Sequence, residues 1–194
     1  MTTNAIAPAS TQILICHPAT PAPVVRSLEA RISAKPDGSI DLSYCLRGDI
    51  IRLRVPEDLA PERVDQLWEH TCFEAFISVR GETGYREFNF SPSGQWAAYA
   101  FKDYRQPDEE LPKIETPRIV ARRFAGRLEV DVTLPPLALP PNPAKTPWEI
   151  GLSAVVEEAD TVDGSHSYWA LHHPCNRPDF HHRNAFALIW PIVP

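Results

Sequence analysis

Glycine is scarce in this chain, at eight of 194 residues against about 7% in an average protein. Loops that cradle phosphate through bare backbone therefore have little material. No P-loop, GxSxG elbow or glycine-rich dinucleotide turn is present. Methionine is scarcer still: Met1 is the single one, which excludes a Met/His axial pair for haem. The four cysteines, Cys16, Cys45, Cys72 and Cys175, form no CxxC pair. They are too few for a disulfide scaffold and suit a reduced compartment, with a Cys45–Cys72 bridge left open. No apolar run approaches the roughly 20 residues of a membrane helix. The N-terminal MTTNAIAPAS has neither a basic start nor a long apolar stretch, so a cytoplasmic protein with no membrane partner is expected. Nor is there a basic excess: 19 Lys+Arg against 25 Asp+Glu give a net charge of −6. Nucleic acid is not expected as a partner.

What the chain has in abundance is proline, 21 in all, about twice the usual share of ~5%. Proline is costly inside helices, so long helices have little room. Alternation of apolar and polar residues fills the space instead. It runs through Ile40, Leu42, Tyr44 and Leu46; Ile51, Leu53 and Val55; Leu128, Val130, Val132 and Leu134; and Trp148, Ile150, Leu152, Ala154 and Val156. Each such run reads as a strand with one face on a core and one on solvent. Further strands are expected at Gln12 to His17, Ser27 to Ser33, Thr71 to Val79, Tyr85 to Ser91, Gln95 to Phe101, Arg118 to Phe124, Tyr168 to His172 and Ala185 to Trp190. Turn signals separate them, among them Pro36-Asp37-Gly38 and Pro92-Ser93-Gly94. One short helix is expected at Ala60 to Trp68, with Pro61 near its start. Asp103 to Lys113 reads as an acidic loop. Pro135 to Pro147, with six prolines in thirteen residues, reads as an extended connection. The expectation is one all-β domain over residues 1–194, an antiparallel β-sandwich of jelly-roll or immunoglobulin-like type.

Three segments concentrate chemistry. In Leu67 to Val79, strand alternation from Thr71 onwards puts Thr71, Phe73, Ala75, Ile77 and Val79 on a core face. It puts His70, Cys72, Glu74, Phe76 and Ser78 on the other. A mid-strand carboxylate among aromatics needs a partner, and Glu74 is either a ligand acceptor or half of an ion pair with Arg86 or Arg183. Glu69 and Glu74 lie five apart and face opposite ways, which argues against a catalytic carboxylate pair. In Tyr85 to Trp96, Tyr85, Glu87, Asn89 and Ser91 share one face. Asn89 beside Glu74 would make an amide–carboxylate patch suited to sugar hydroxyls, although Asn89 and Ser91 could equally satisfy turn backbone. Between Ser165 and Arg183 lie five of the seven histidines, with Cys175 and Asp179. Their spacing matches no zinc motif, so no metal site is expected, and most of them read as loop-bracing groups.

The stretches WEHTCFEAFI, YREFNFSPSGQWAAYAF, YWALHHP and HPCNRPDFHHRNAF resemble the bacterial DOMON-like proteins, relatives of family 9 carbohydrate-binding modules. The resemblance runs from about Leu67 to the C-terminus and is most specific at PDFHH. It implies a β-sandwich that binds a sugar or a haem, with ligand contacts at Trp68, Glu74, Asn89, Tyr168, Trp169, His172, Asp179 and His181. Sugar is the favoured ligand, because indole and phenol rings stack on sugar C–H faces while Glu, Asn and His take the hydroxyls. Trp96 and Trp148 are expected in the core. A haem-binding redox module using His172 or His181, or a sandwich that only docks partners, is the alternative. Catalysis is not expected.

Overall fold

The computed structural model describes residues 9–109, 114–159 and 165–191. Residues 1–8 of the N-terminal stretch read for a leader and residues 110–113 of the acidic loop lie outside them.

The described residues form twelve strands: β1 Ala9–Cys16, β2 Val25–Ala34, β3 Ile40–Gly48, β4 Cys72–Val79, β5 Tyr85–Phe90, β6 Trp96–Asp103, β7 Gln106–Pro107, β8 Arg118–Phe124, β9 Arg127–Leu134, β10 Trp148–Glu158, β11 Ser165–Ala170 and β12 Leu188–Trp190. Every strand pairing is antiparallel, in the order β7-β6-β5-β4-β10-β11-β1-β2-β3-β9-β8, with β12 also on β10. The path folds over at β1, whose body pairs with β2 while Ile15 and Cys16 pair with β11. The result is the expected antiparallel β-sandwich. Among the described residues no helix is long and apolar enough to cross a membrane.

The inner faces meet in one apolar core. Leu42, Tyr44 and Leu46 of β3 and Val130 and Val132 of β9 pack with Phe73, Ala75 and Ile77 of β4 and Phe88 and Phe90 of β5. Tyr44 ties the layers together directly. Its ring lies 5.1 Å from that of Phe73, and its hydroxyl donates to the Glu74 carbonyl at 2.8 Å.

The two sheets differ in their outer faces. Strands β3 and β9 alternate buried and part-exposed residues, as one-sided strands should. In contrast, β4 and β5 are buried at every position and β10 at all but its first two. The expectation of a solvent face on β10 is therefore corrected. Phe76, Tyr85, Ala185 and Phe186 form a second apolar cluster on that side. It packs so tightly that a Cβ on Gly151 of β10 would stand 3.0 Å from the Phe186 ring.

Two predicted elements are replaced. Ala60 to Trp68 is not a helix; only Leu67–Glu69 makes a 3-10 turn. Pro56 and Pro61 bias their preceding residues to extended backbone. The segment then lies along the start of β6, with Leu59 N–H on Ser93 O, Val64 N–H on Trp96 O and Trp96 N–H on Glu62 O. Ile51 to Val55 is not a strand either. The chain turns through a 3-10 turn at Ile50–Arg52, leaving Ile51 exposed, and crosses to β10, where Arg54 N–H donates to Glu157 O. The proline-rich connection is pinned by buried Arg86, whose guanidinium donates to the carbonyls of Ala138 and Leu139, each at 2.7 Å. The four cysteines are free. Cys45 stands on the outer side of β3 and Cys72 on the outer side of the other sheet, so a bridge between them would have to cross the core.

Replacing Tyr44 with Phe removes the hydrogen bond to the Glu74 carbonyl across the sheet interface and should cost about 0.5–1.5 kcal/mol. Urea denaturation of the variant measures this, and an unchanged midpoint would show that the inter-sheet hydrogen bond does not contribute.

Candidate functional site

The outer face of β4, β5, β6 and β10 is ruled by register. One row across the sheet runs Ala97, Asn89, Glu74, Ser153; the next runs Tyr99, Glu87, Phe76, Gly151. Each row has a single carboxylate, and the two carboxylates sit on adjacent strands, offset by one row. Over this floor lies a cavity of about 400 Å³. Trp68, Tyr99, Phe101, Tyr168 and Phe180 supply its aromatic walls, and Glu74, Glu87, His181 and Arg105 supply its polar groups.

The loop 171–187 closes one side, and Asp179 holds it in place. The Asp179 carboxylate accepts from Tyr104 Oη at 2.7 Å, Arg105 Nη2 at 3.0 Å and the His181 backbone N–H at 3.2 Å. Burial alone would raise the Asp179 carboxyl, but the hydrogen bonds from Tyr104 and Arg105 outweigh it and hold the group below its usual range. Arg105 sits in the β6–β7 turn with left-handed backbone, φ +52°. Its own N–H donates to Tyr85 Oη at 3.2 Å. The Tyr85 hydroxyl lies 2.8 Å from His181 Nδ1 and is assigned as the donor there. The His181 proton is then assigned to Nε2, which points at Glu87 Oε2, 3.5 Å away. Burial, aided by the positive charge of Arg105, lowers His181 to about 4. The imidazole is neutral at neutral pH, and its contact with Glu87 is no ion pair.

The carboxylates themselves are poorly compensated. Glu74 is 3% exposed and accepts from Ser153 Oγ at 3.3 Å. Neither proposed cation reaches it: Arg86 is on the opposite face holding carbonyls, and Arg183 pairs with Glu149 at 2.8 Å. Burial, then the neighbouring charge of Glu87, pushes Glu74 well above the carboxylate range. Glu87 accepts from Asn89 Nδ2 at 2.7 Å, and burial raises it to about 7 against the opposing effects of Asn89 and Arg105. Beside them, burial raises the Cys72 thiol, which donates to Asn89 Oδ1 at 3.7 Å.

Four of the residues picked from the sequence meet in this cavity: Trp68, Glu74, Tyr168 and His181. Asn89 stands directly opposite Glu74, as expected, but is fully buried and orients Glu87. Asp179 braces the loop. Trp169 is turned to the other side: it is 7% exposed within the main core, and its indole donates to Ser167 at 3.0 Å. Strand alternation alone forces this, because Tyr168 and Trp169 are consecutive. His172 lies outside the cavity, bonded to the Asn184 carbonyl. Of the two histidines considered for haem, then, one lies outside the cavity and the other has both ring nitrogens directed at protein groups. Trp96 is in the core and Trp148 packs against it, as expected. Among the described residues no group of three or more His, Cys, Asp or Glu is arranged to hold a metal ion.

The sequence reading missed Glu87, Tyr99, Phe101 and Arg105 as cavity residues. A signal existed for Glu87, which shares the alternation that selected Asn89, and for Tyr99 and Phe101, which alternate with the core alanine Ala98 and with Ala100. None existed for Arg105, which a two-residue strand and a left-handed turn bring in.

No family model matches the chain, and no curated protein matches it. Among solved structures, it is similar to a protein from Bacteroides uniformis described as a candidate carbohydrate-binding protein. The TM-score is 0.60 at 15% identity over 90% of this chain and 83% of the other. It is also similar to a family 9 carbohydrate-binding module from Caldicellulosiruptor kristjanssonii, solved with cellotriose. Here the TM-score is 0.50 at 10% identity over 84% and 72% of the two chains. At such identities the likeness is one of fold.

The shifted carboxyl makes stability depend on pH in a defined direction. Folded Glu87 keeps its proton up to about 7, against an ordinary value of 4.5. Its contribution is intact below that ordinary value and is lost as the pH rises towards about 7. His181 runs the other way, losing stability as the pH falls from 6.5 to about 4. Glu87→Gln removes the first effect, together with the push of its charge on Glu74, and leaves the second. The melting temperature of the variant minus that of the wild type should therefore climb between pH 4.5 and about 7. Thermal melts through that range check this; a flat or falling difference would overturn it.

Proposed function

We propose that the protein is a non-catalytic carbohydrate-binding module whose ligand occupies the cavity over β4, β5 and β6. The observation that carries this reading is the division of the cavity into aromatic walls and a hydrogen-bonding floor. A sugar ring is amphipathic in the same way, with C–H faces that stack on aromatic rings and an equatorial rim of hydroxyls. A cavity of about 400 Å³ suits one or two such rings, within the usual range of small-ligand sites of about 300–1,000 Å³. Trp68 is the one indole placed to stack. It is 40% exposed and its ring lies 5.9 Å from Tyr99 at a steep angle. Its turn is held to β11 by His166, whose Nε2 meets the Glu69 carbonyl at 2.9 Å. Tyr168 and Phe180, 6.0 Å apart, form the facing wall. The fold likeness to a module solved with cellotriose supports the same reading. So does the resemblance seen in the sequence, although Trp169, which that resemblance offered as a contact, is a core residue.

Titration calorimetry with glucose, cellobiose, cellotriose and other mono- and oligosaccharides tests this, with haemin as a further member of the panel. Saturable binding of a saccharide is expected. Trp68→Ala should weaken it about tenfold or more, while its partial exposure keeps the change in folding stability below about 1 kcal/mol. Trp169→Ala should instead destabilise the fold by about 3–5 kcal/mol. Binding that survives both Trp68→Ala and Tyr168→Ala would overturn the site. A Soret band with haemin and silence from every sugar would overturn the function.

A further inference from the structure

Resting on the saccharide reading, the arrangement of charge in the cavity narrows the class of sugar. We propose that the ligand is an amino sugar, bound with its protonated amine against Glu74 and Glu87. Two carboxylates on adjacent strands form the floor, and Glu74 is 3% and Glu87 5% exposed. A neutral sugar brings them no charge, and Arg105, whose charge lowers Glu87, is itself held by Asp179 at 3.0 Å, so the two acids must share protons. An ammonium group relieves this, because it can donate to both carboxylates at once and lets both ionise.

The charged groups around the floor leave this place free for a cation. On β4 and β5 the neighbours are Cys72, whose thiol is raised by burial, and Tyr85, raised to about 12. Both are uncharged at neutral pH. Tyr99 on β6 is likewise neutral, with its hydroxyl donating to Asp65 at 2.8 Å. From the covering loop, His181 is neutral, and Arg105 is matched by Asp179 at 3.0 Å. On β10, Glu157 is engaged by Arg54 at 3.1 Å and His70 at 2.9 Å. Among the described residues neither Glu74 nor Glu87 pairs with an arginine or a lysine; their hydrogen bonds come from Ser153 and Asn89. The walls favour the same occupant, since Trp68, Tyr99 and Tyr168 offer π-faces that attract a cation as well as C–H groups.

The experiment compares matched series by titration calorimetry at neutral pH: glucosamine with glucose and N-acetylglucosamine, and galactosamine with galactose and N-acetylgalactosamine. In at least one series the free amine should bind about tenfold tighter than both partners, the worth of one charge-assisted hydrogen bond. Repeating the titration in buffers of different ionisation enthalpy should show proton release on binding the amine. That second readout needs only the wild-type protein. Glu74→Gln and Glu87→Gln, checked for folding by thermal melts, should each shrink the preference for the amine. If in neither series the free amine binds more tightly than both partners while some saccharide of the panel binds, the amino-sugar inference falls and the saccharide reading stands. If no member of either series binds, and no other saccharide of the wider panel does, both fall together.

Discussion

The pairing of β4 with β5 is the constraint on which the cavity depends. Setting Glu74 opposite Asn89 and Phe76 opposite Glu87 places both carboxylates on the outer face and both flanking phenylalanines, Phe73 and Phe88, in the core. A slip of one residue would exchange the faces, burying the carboxylates between the sheets. Tyr44 guards against that slip from across the core. Its hydroxyl finds the Glu74 carbonyl, and its ring meets Phe73, so the register of the floor is locked by a residue of the other sheet.

Covering the second face of this sheet creates the chemistry. Strands β4, β5 and β10 are buried on both sides, yet their second side includes Glu74, Glu87, Asn89 and Ser153. Carboxylates in such a place are expensive unless compensated. Ser153 and Asn89 give each a hydrogen bond, but not a charge. The loop that does the covering brings no cation to them either. Its own acid, Asp179, takes Arg105, and its imidazole stays neutral. Polar groups kept buried and under-compensated at the bottom of an aromatic cavity are what a binding site sets aside for a ligand.

Much of this was legible in the sequence, because the period of two decides both strand and face. Alternation in Thr71 to Val79 separates Phe73, Ala75 and Ile77 from Cys72, Glu74 and Phe76, and the structure divides them in the same way. Alternation also contained the correction to Trp169, since its neighbour Tyr168 cannot share its face. The helix expected at Ala60 to Trp68 failed for a different reason. Its apolar spacing fits a helix, but the edge of β6 offered the backbone a set of hydrogen bonds that a short proline-bounded helix could not match. The same holds at Ile51 to Val55, where alternation is real but the chain is spent on crossing between sheets.

By itself, the amino-acid sequence determined the sandwich: proline in excess, few glycines and a two-residue period leave antiparallel strands as the structure that satisfies the backbone. It also determined which carboxylate stands apart, since Glu74 sits amid an aromatic strand. Only the tertiary structure decided that Glu74 has Glu87 and not an arginine as its neighbour. The reason is that facing along a strand is a local property, whereas partnership across strands depends on register, on a turn at Arg105 and on a loop anchored by Asp179 far along the chain. These contacts join residues separated by as many as 96 positions, as between Tyr85 and His181, and no local pattern encodes them.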